Sequence, residues 1–89
     1  MAWKIEFERA AARELTKLDS QAAGRVLRFL RDRVAPLDDP RSIGQALKGD
    51  RFGEFWRYRM GDYRVVARIV DSEALILVLR IGHRREIHR

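Results

Sequence analysis

The densest group of chemically useful side chains lies in residues 82–89, which contain three arginines and both histidines of the chain. Cutting an RNA phosphodiester without a metal ion requires a base for the 2′-hydroxyl, cations for the charge on the phosphorane and an acid for the departing 5′-oxygen. Imidazole suits the proton transfers because its unperturbed pKa is about 6.5, and guanidinium suits the stabilisation of charge. A basic tail with histidine is more commonly a flexible contact segment, so composition alone does not assign a catalytic role.

A second group of cations lies on two segments with the pattern of strands. Residues 55–60 and 63–70 flank Gly61-Asp62, a two-residue turn that would join them as a hairpin. In this register Arg59 lies directly across from Arg64. Two like charges that face each other cost some tenths of a kcal/mol unless an acidic neighbour or a bound anion compensates. The hairpin therefore predicts a place for an anion.

Arg57 and Arg68 extend this face of the predicted hairpin into an arginine stripe. A solvated sheet face with long side chains lying over apolar surface would show the same pattern. We favour a phosphate-binding face, because acidic residues are scarce within these strands and guanidinium offers forked donors to phosphate. Trp56, Tyr58 and Tyr63 are expected to pack in the core or at the sheet edge rather than to stack on nucleobases.

The elements that must position these groups begin with an N-terminal strand, in which Trp3, Ile5 and Phe7 alternate with charged residues. An alanine-rich segment from Glu8 follows, with apolar residues spaced as on one face of a helix of about ten residues. Asp19 or Ser20 can cap a second helix. The predicted stripes are Ala11, Leu15 and Leu18 on the first helix, and Ala23, Leu27, Leu30 and Val34 on the second, which ends before Pro36.

The remainder of the chain completes a sheet. The segment from Leu37 to Gly53 is rich in glycine and charge, which predicts a long connection with little regular structure. After the hairpin, a turn at residues 71–73 leads into a last strand from Ala74 to Ile81, whose consecutive apolar residues leave the face of Arg80 unassigned. The order β-α-α-β-β-β predicts an α+β fold, with a two-helix hairpin packed on one face of a mainly antiparallel four-stranded sheet.

Length and charge limit the possible functions. The 89 residues fit one domain, expected to span residues 1–89. Sixteen arginines and three lysines against 13 acidic residues give a net charge of +6, and this excess favours an anionic partner such as nucleic acid or an acidic protein. The same charge could serve only to keep a small protein soluble. A genome of high GC content would also raise the arginine content.

Residue types that are rare in this chain exclude other classes. Without cysteine there is no disulfide framework and no thiolate metal site, and His83 and His88 are the only histidines. We therefore expect no metal ion and no other cofactor. No basic segment followed by an apolar stretch is visible at the N-terminus, and the longest apolar run, six residues, falls short of the ~20 that cross a bilayer. We expect a cytoplasmic protein without a membrane partner.

Several short motifs occur in an order that resembles the RelE/ParE toxin superfamily, and they cover nearly the whole chain. They are the aromatic N-terminal strand, Leu15-x-x-Leu18-Asp19, Leu47-Lys48-Gly49, Tyr63-Arg64-Val65 and Ile81-Gly82-His83-Arg84. The resemblance implies a RelE-like fold and inhibition by a cognate RelB-like antitoxin, with which the chain would form a hetero-oligomer. RelE-like members cut mRNA in the ribosomal A site, whereas ParE-like members poison DNA gyrase. The basic tail favours the RelE-like activity, an endoribonuclease that needs no metal ion.

The resemblance also assigns roles to residues. It places Arg64 and Arg84 where RelE toxins keep phosphate-stabilising arginines, and Arg57 and Arg59 on a strand with basic residues, one of which transfers a proton. Because Arg stays protonated in proteins, neither of the latter two is a ready general base. His88 stands where many relatives have Tyr and is the candidate general acid or base. The further candidates for RNA contact are Lys48, Arg51, Arg68, Arg80, His83, Arg85 and Arg89. A gyrase inhibitor, or a regulator without enzymatic activity, remains the alternative.

Overall fold

Five strands form one mixed sheet in a computed structural model of the protein, which describes residues 2–47 and 55–83. The strands follow the spatial order β1-β5-β4-β3-β2. Only the β1–β5 pair is parallel, and the remaining neighbours are antiparallel. The strands are β1 (Lys4–Phe7), β2 (Gln45–Ala46), β3 (Phe55–Met60), β4 (Tyr63–Val70) and β5 (Leu75–His83).

The predicted α+β class and element order are confirmed, but the predicted strand count of four is wrong by one. The additional strand, β2, contains only two residues, which pair with Trp56 and Arg57 of β3. The preceding connection is also more ordered than expected, since Pro40–Ile43 forms a 3₁₀ helix. Two residues are too few to show a period-2 pattern, and for this reason β2 leaves no signal in the sequence.

Two helices cover one face of the sheet. Helix α1 spans Arg9–Lys17 and helix α2 spans Ser20–Phe29, and α2 continues into a π-helical turn at Leu30–Val34. Asp19 is the N-cap of α2, because its Oδ1 accepts a hydrogen bond of 2.8 Å from the backbone N–H of Ala22. The capping choice between Asp19 and Ser20 is thereby decided.

The buried stripe of α2 differs from the prediction. Ala22 and Val26 are buried, together with Leu30 and Val34, whereas Leu27 is 41% exposed. Successive helical residues are rotated by about 100°, so burial of Val26 turns its neighbour Leu27 away from the sheet. The predicted placement of Leu27 in the core is wrong, and Ala23 is only half-buried.

The core lies between the helices and the alternate residues of the strands. Ile5 and Phe7 of β1 pack against it as predicted from their alternation. Tyr58 is completely buried at the centre of β3, in edge-to-face contact with Phe29 of α2 at 6.2 Å between ring centroids. Its hydroxyl donates a hydrogen bond of 2.6 Å to the Pro40 carbonyl, so the predicted packing role of Tyr58 is confirmed. In the described residues no helix is long and apolar enough to cross a membrane.

Candidate nucleic-acid-binding face

The hairpin between β3 and β4 has the register expected from the sequence. Gly61 and Asp62 form the turn, and Gly61 adopts a φ of +59°, a conformation that glycine allows without a steric penalty. Arg59 therefore pairs directly with Arg64. The predicted juxtaposition of two guanidinium-bearing residues is confirmed, and it lies on the sheet face opposite the helices.

The strand registers place five arginines on this face. Residues directly opposite each other on neighbouring strands share a face, and residues two apart on one strand do likewise. One row runs through Arg57, Val66 and Arg80, and the next runs through Arg59, Arg64 and Gly82. We call Arg57, Arg59, Arg64, Arg68 and Arg80 the sheet-face arginines. The sequence could not orient Arg80, whereas the structure assigns it to this face.

Arg57 is held in place from the edge strand. Its Nη2 donates a hydrogen bond of 2.9 Å to Oε1 of Gln45, its partner on β2. The two residues line a cleft of about 340 Å³ together with Ile43, Gly44 and Arg59. The Nε of Arg57 is buried and has no hydrogen-bond partner among the described residues. A half-buried guanidinium that Gln45 holds in a fixed orientation is suited to bind an anion.

Arg64 is half-buried and is anchored over the hairpin turn. Its Nη1 donates to the carbonyls of Tyr63, at 3.2 Å, and Gly61, at 3.4 Å. Across the sheet on β5 it faces Gly82, which contributes no side chain to that position. Arg59, on the other side, is exposed and makes no ion pair with any described residue. The Arg59–Arg64 pair is thus the part of the face best suited to a phosphate.

Arg80 has an acidic partner on the first helix. Its Nε lies 3.0 Å from Oε2 of Glu14 on α1, and Oε1 of the same carboxylate accepts a hydrogen bond of 2.8 Å from the backbone N–H of Ile81. Pairing between β1 and β5 ends at Val78. Beyond that point Glu14, rather than a neighbouring strand, accepts the hydrogen bond from the backbone N–H of Ile81. The carboxylate offsets the charge of Arg80, which makes Arg80 a weaker candidate for RNA contact than its neighbours.

His83 lies apart from the sheet-face arginines. It pairs with Tyr63, and the two rings are in edge-to-face contact at 5.9 Å between centroids. Because Arg64 follows Tyr63 on β4, the Tyr63–His83 pair occupies the helix-covered side of the sheet. The remaining predicted site residues lie outside the described parts of the chain: Lys48, Arg51, Arg84, Arg85, His88 and Arg89.

Sequence reasoning missed two residues that organise this face, Gln45 and Glu14. Gln45 acts from a two-residue strand without a sequence pattern, and Glu14 reaches a strand that is 67 positions away in the chain. Neither contact has a local signature. Both depend on the sheet order, which the sequence does not specify residue by residue.

Two helices packed on one face of a five-stranded sheet are the fold of the RelE toxins. The E. coli toxin RelE, solved in the free state as a double arginine-to-alanine mutant, superposes with a TM-score of 0.77 over 97% of this chain and 87% of that chain, at 23% identity. A family model described as the ParE toxin of type II toxin-antitoxin systems matches residues 5–88. The chain therefore belongs to the ParE toxin family, within the RelE/ParE superfamily of type II toxins.

Relatives from Mycobacterium tuberculosis support the same assignment. The chain is 30% identical over 89 residues to Toxin RelG of that organism, which covers 100% of this chain and 99% of the relative. A solved structure of the toxin-antitoxin complex RelBE2 from M. tuberculosis contains a chain that matches with a TM-score of 0.82 at 26% identity, covering 94% of this chain and 93% of that one. The resemblance indicated by the sequence motifs is thereby confirmed as family membership.

Proposed function

We propose that this toxin is an endoribonuclease that cuts mRNA in the ribosomal A site without a metal ion and so inhibits translation. The observation that carries the proposal is the facing pair Arg59 and Arg64, flanked by Arg57 and Arg68 on the same sheet face. Two like charges directly opposite each other are mildly destabilising, and a bound anion offsets that repulsion. The phosphodiester backbone of RNA provides the anion. The additional charge that develops on the phosphorane strengthens its interaction with the arginines in the transition state.

The proposed roles of the residues rest on the resemblance to RelE toxins and on the chemistry of each side chain. Arg64 and Arg84 stabilise the phosphorane, and Arg57 and Arg59 hold the flanking phosphates. Since guanidinium keeps its proton at neutral pH, the proton transfers are assigned to His88. The proposed contacts along the RNA are Lys48, Arg51, Arg68, Arg80, His83, Arg85 and Arg89. Among these, Arg80 is weakened by its pairing with Glu14, and His83 would contact RNA from the helix-covered side of the sheet.

Purified toxin added to an in vitro translation reaction tests the proposal, with mRNA ends mapped by primer extension. Cleavage within codons is expected for the wild type, with a loss of about 100-fold or more for Arg64→Ala, Arg84→Ala and His88→Ala. Arg13→Ala, an exposed cation on α1, is the matched control and should cut normally. Intact mRNA with the wild-type toxin would reject the nuclease activity.

A second candidate is inhibition of DNA gyrase, the activity that the resemblance implies for ParE-like members, because the matching family model is described as a ParE toxin. Supercoiling of a relaxed plasmid by purified gyrase is the corresponding assay. If the wild-type toxin stops supercoiling and leaves mRNA intact, the gyrase function replaces the nuclease. If neither assay responds, the chain is a regulator without enzymatic activity, for which tight binding to an antitoxin is the remaining expectation.

The proposed partner in growing cells is an acidic antitoxin. The M. tuberculosis relative was solved as a toxin-antitoxin complex, and the sheet-face arginines need to be covered when translation proceeds. A partly disordered acidic segment that folds on the toxin would neutralise charge and block access to RNA. We expect it to cover Arg64 and Arg84 or to displace the tail with His88. A structure of the hetero-oligomer with all three groups open and correctly placed would contradict this.

A further inference from the structure

A second basic surface lies on the opposite side of the molecule, along α2. Arg25, Arg28, Phe29 and Asp32 follow the spacing i, i+3, i+4 and i+7, which places them on one side of the helix. With Met60, at the end of β3, they border a shallow groove of about 300 Å³. We call it the helix groove, and its lining residues are Arg25, Arg28, Phe29, Asp32, Arg33 and Met60.

The charge of the helix groove is strongly positive. Asp32 is the acidic residue in its lining, and its Oδ1 lies 2.9 Å from Nε of Arg31, outside the groove. The hydrogen bond from Arg31 lowers the pKa of Asp32, and Arg28 adds a smaller effect in the same direction. Arg25, Arg28 and Arg33 have no ion-pair partner in the described parts of the chain. Three guanidinium groups therefore border one small groove that contains a single carboxylate, Asp32, which is paired with Arg31.

The helix groove is continuous with the sheet-face arginines around the hairpin turn. A Cβ built on Gly61 would lie 3.3 Å from Nη2 of Arg25, so that guanidinium lies against the turn. From the other face, Arg64 donates to the carbonyl of the same glycine. Met60, in the groove, immediately precedes the turn. One basic band thus passes from α2 over the turn to Arg59 and Arg64.

We propose that the helix groove binds the sugar-phosphate backbone of structured RNA at a position separate from the scissile phosphate. This inference rests on the proposed function and adds a second contact to it. The forked donors of Arg25, Arg28 and Arg33 suit phosphate oxygens, and the half-buried Phe29 and Met60 offer an apolar floor to a ribose or base. For a toxin that acts on ribosome-bound mRNA, the RNA of the ribosome is the structured RNA within reach.

An acidic protein segment fits the helix groove less well. A helix docked in a groove is about 10–12 Å wide and inserts several apolar anchors along one stripe. The helix groove is small and offers two apolar residues, Phe29 and Met60. A phosphate backbone needs only widely spaced cations, and it could extend over the Gly61-Asp62 turn to reach Arg59 and Arg64. The continuity of the basic band therefore favours RNA.

A charge-matched pair of triple variants tests the inference. Arg25→Ala, Arg28→Ala and Arg33→Ala together remove three charges from the helix groove. Arg9→Ala, Arg13→Ala and Lys17→Ala remove three exposed charges from α1, so both variants fall from +6 to a net charge of +3. All six side chains are exposed and lie outside the hydrophobic core, and circular dichroism verifies that each variant is folded.

The measurement is the dissociation constant for purified ribosomes without mRNA, determined over a range of salt concentrations. The groove variant is expected to bind at least tenfold more weakly and to flatten the slope of log K against log salt by about 2, since each lost phosphate contact removes about 0.7–0.9. The α1 variant should bind within about threefold of the wild type. The cleavage rate at saturating ribosomes should be unchanged in both.

Two outcomes would overturn the inference. Equal weakening by the two variants would mean that net charge alone attracts the toxin. Weakened binding of an acidic antitoxin peptide by the groove variant, with ribosome binding intact, would assign the helix groove to a protein partner. Because ribosome binding is measured without mRNA cleavage, these results stay separate from a failure of the wild-type toxin to cut mRNA.

Discussion

Gln45 acts on the candidate site through another residue. It accepts a hydrogen bond of 2.9 Å from Arg57 and lies opposite that residue in the sheet. The guanidinium of Arg57 has several rotatable bonds, so one fixed hydrogen bond reduces the number of orientations that RNA must select. We regard Gln45 as a positioning residue for the proposed cleavage.

Replacing Gln45 by alanine should therefore slow mRNA cleavage about fivefold, the equivalent of about 1 kcal/mol of transition-state stabilisation. The double variant Gln45→Ala/Arg57→Ala should be no slower than Arg57→Ala alone, because the amide acts only through Arg57. Single-turnover rates on ribosome-bound mRNA provide the comparison. Independent, additive losses in the double variant would show that Gln45 acts by another route.

Tyr58 gives stability a dependence on alkaline pH. Burial raises the pKa of Tyr58 to about 12 from 10.0, so its phenol stays neutral in the folded state while the unfolded chain ionises. The contribution to the free energy of unfolding is complete below pH 10 and declines as the pH rises towards 12. Tyr58→Phe should lose about 1–3 kcal/mol at pH 7, since the buried Pro40 carbonyl loses its donor.

Urea denaturation of both proteins between pH 7 and pH 11.5 checks this behaviour. The difference in the free energy of unfolding between wild type and Tyr58→Phe should narrow above pH 10, because only the wild type loses the phenol contribution. A difference that remains constant across that range would contradict a raised pKa at Tyr58.

At the level of elements, a side chain of α1 provides a hydrogen-bond acceptor for β5 beyond the end of its pairing with β1. Glu14 provides the acceptor for the Ile81 N–H and the partner for Arg80. A hydrogen bond to a charged acceptor contributes more to stability than a neutral one. One carboxylate thus couples helix packing to the strand that precedes the basic tail.

Glu14→Ala is expected to lower the free energy of unfolding by about 1.5–3 kcal/mol, because the half-buried backbone donor loses its acceptor. Glu14→Gln retains an acceptor oxygen and should lose about 1 kcal/mol. The matched control is Glu8→Ala, an exposed carboxylate without a side-chain hydrogen bond. Chemical denaturation at neutral pH measures all three, and equal loss in Glu8→Ala and Glu14→Ala would exclude the edge contact.

The parts of the fold that sequence reasoning predicted are those with a local period or a local cap. The alternation in β1, the Gly61-Asp62 turn and the Asp19 cap all lie within a few residues of what they determine. The Arg59–Arg64 juxtaposition follows from that turn alone. By contrast, β2 and the contact of Glu14 depend on the final sheet order, and the exposure of Leu27 depends on which side of α2 reaches the core.

The whole molecule presents cations on two connected surfaces, the sheet face and the helix groove. Four of the sheet-face arginines, Arg57, Arg59, Arg64 and Arg68, lie on the two strands of the β3–β4 hairpin and share one face. Binding of a single-stranded RNA to this face should therefore depend steeply on salt, through release of counterions from the RNA.

We expect the logarithm of the association constant to fall with the logarithm of salt concentration at a slope of about −3, because each phosphate contact on a single strand contributes about −0.7. Arg64→Ala should make the slope shallower by about 0.7. Fluorescence anisotropy with a labelled, non-cleavable oligonucleotide measures both slopes. A slope near zero would mean that the arginines on the sheet do not contact phosphates.

The position of β5 between β1 and β4 has a consequence for biosynthesis. β1 can pair only after β5 is present, because Lys4 pairs with Leu75 and Phe7 pairs with Val78. Pairings so distant along the chain form late, and a ribosome synthesising the toxin holds an unfinished sheet until the β5 residues have emerged. The β3–β4 hairpin that carries Arg57, Arg59 and Arg64 therefore obtains its full support in the sheet only after β5 has paired with both β4 and β1.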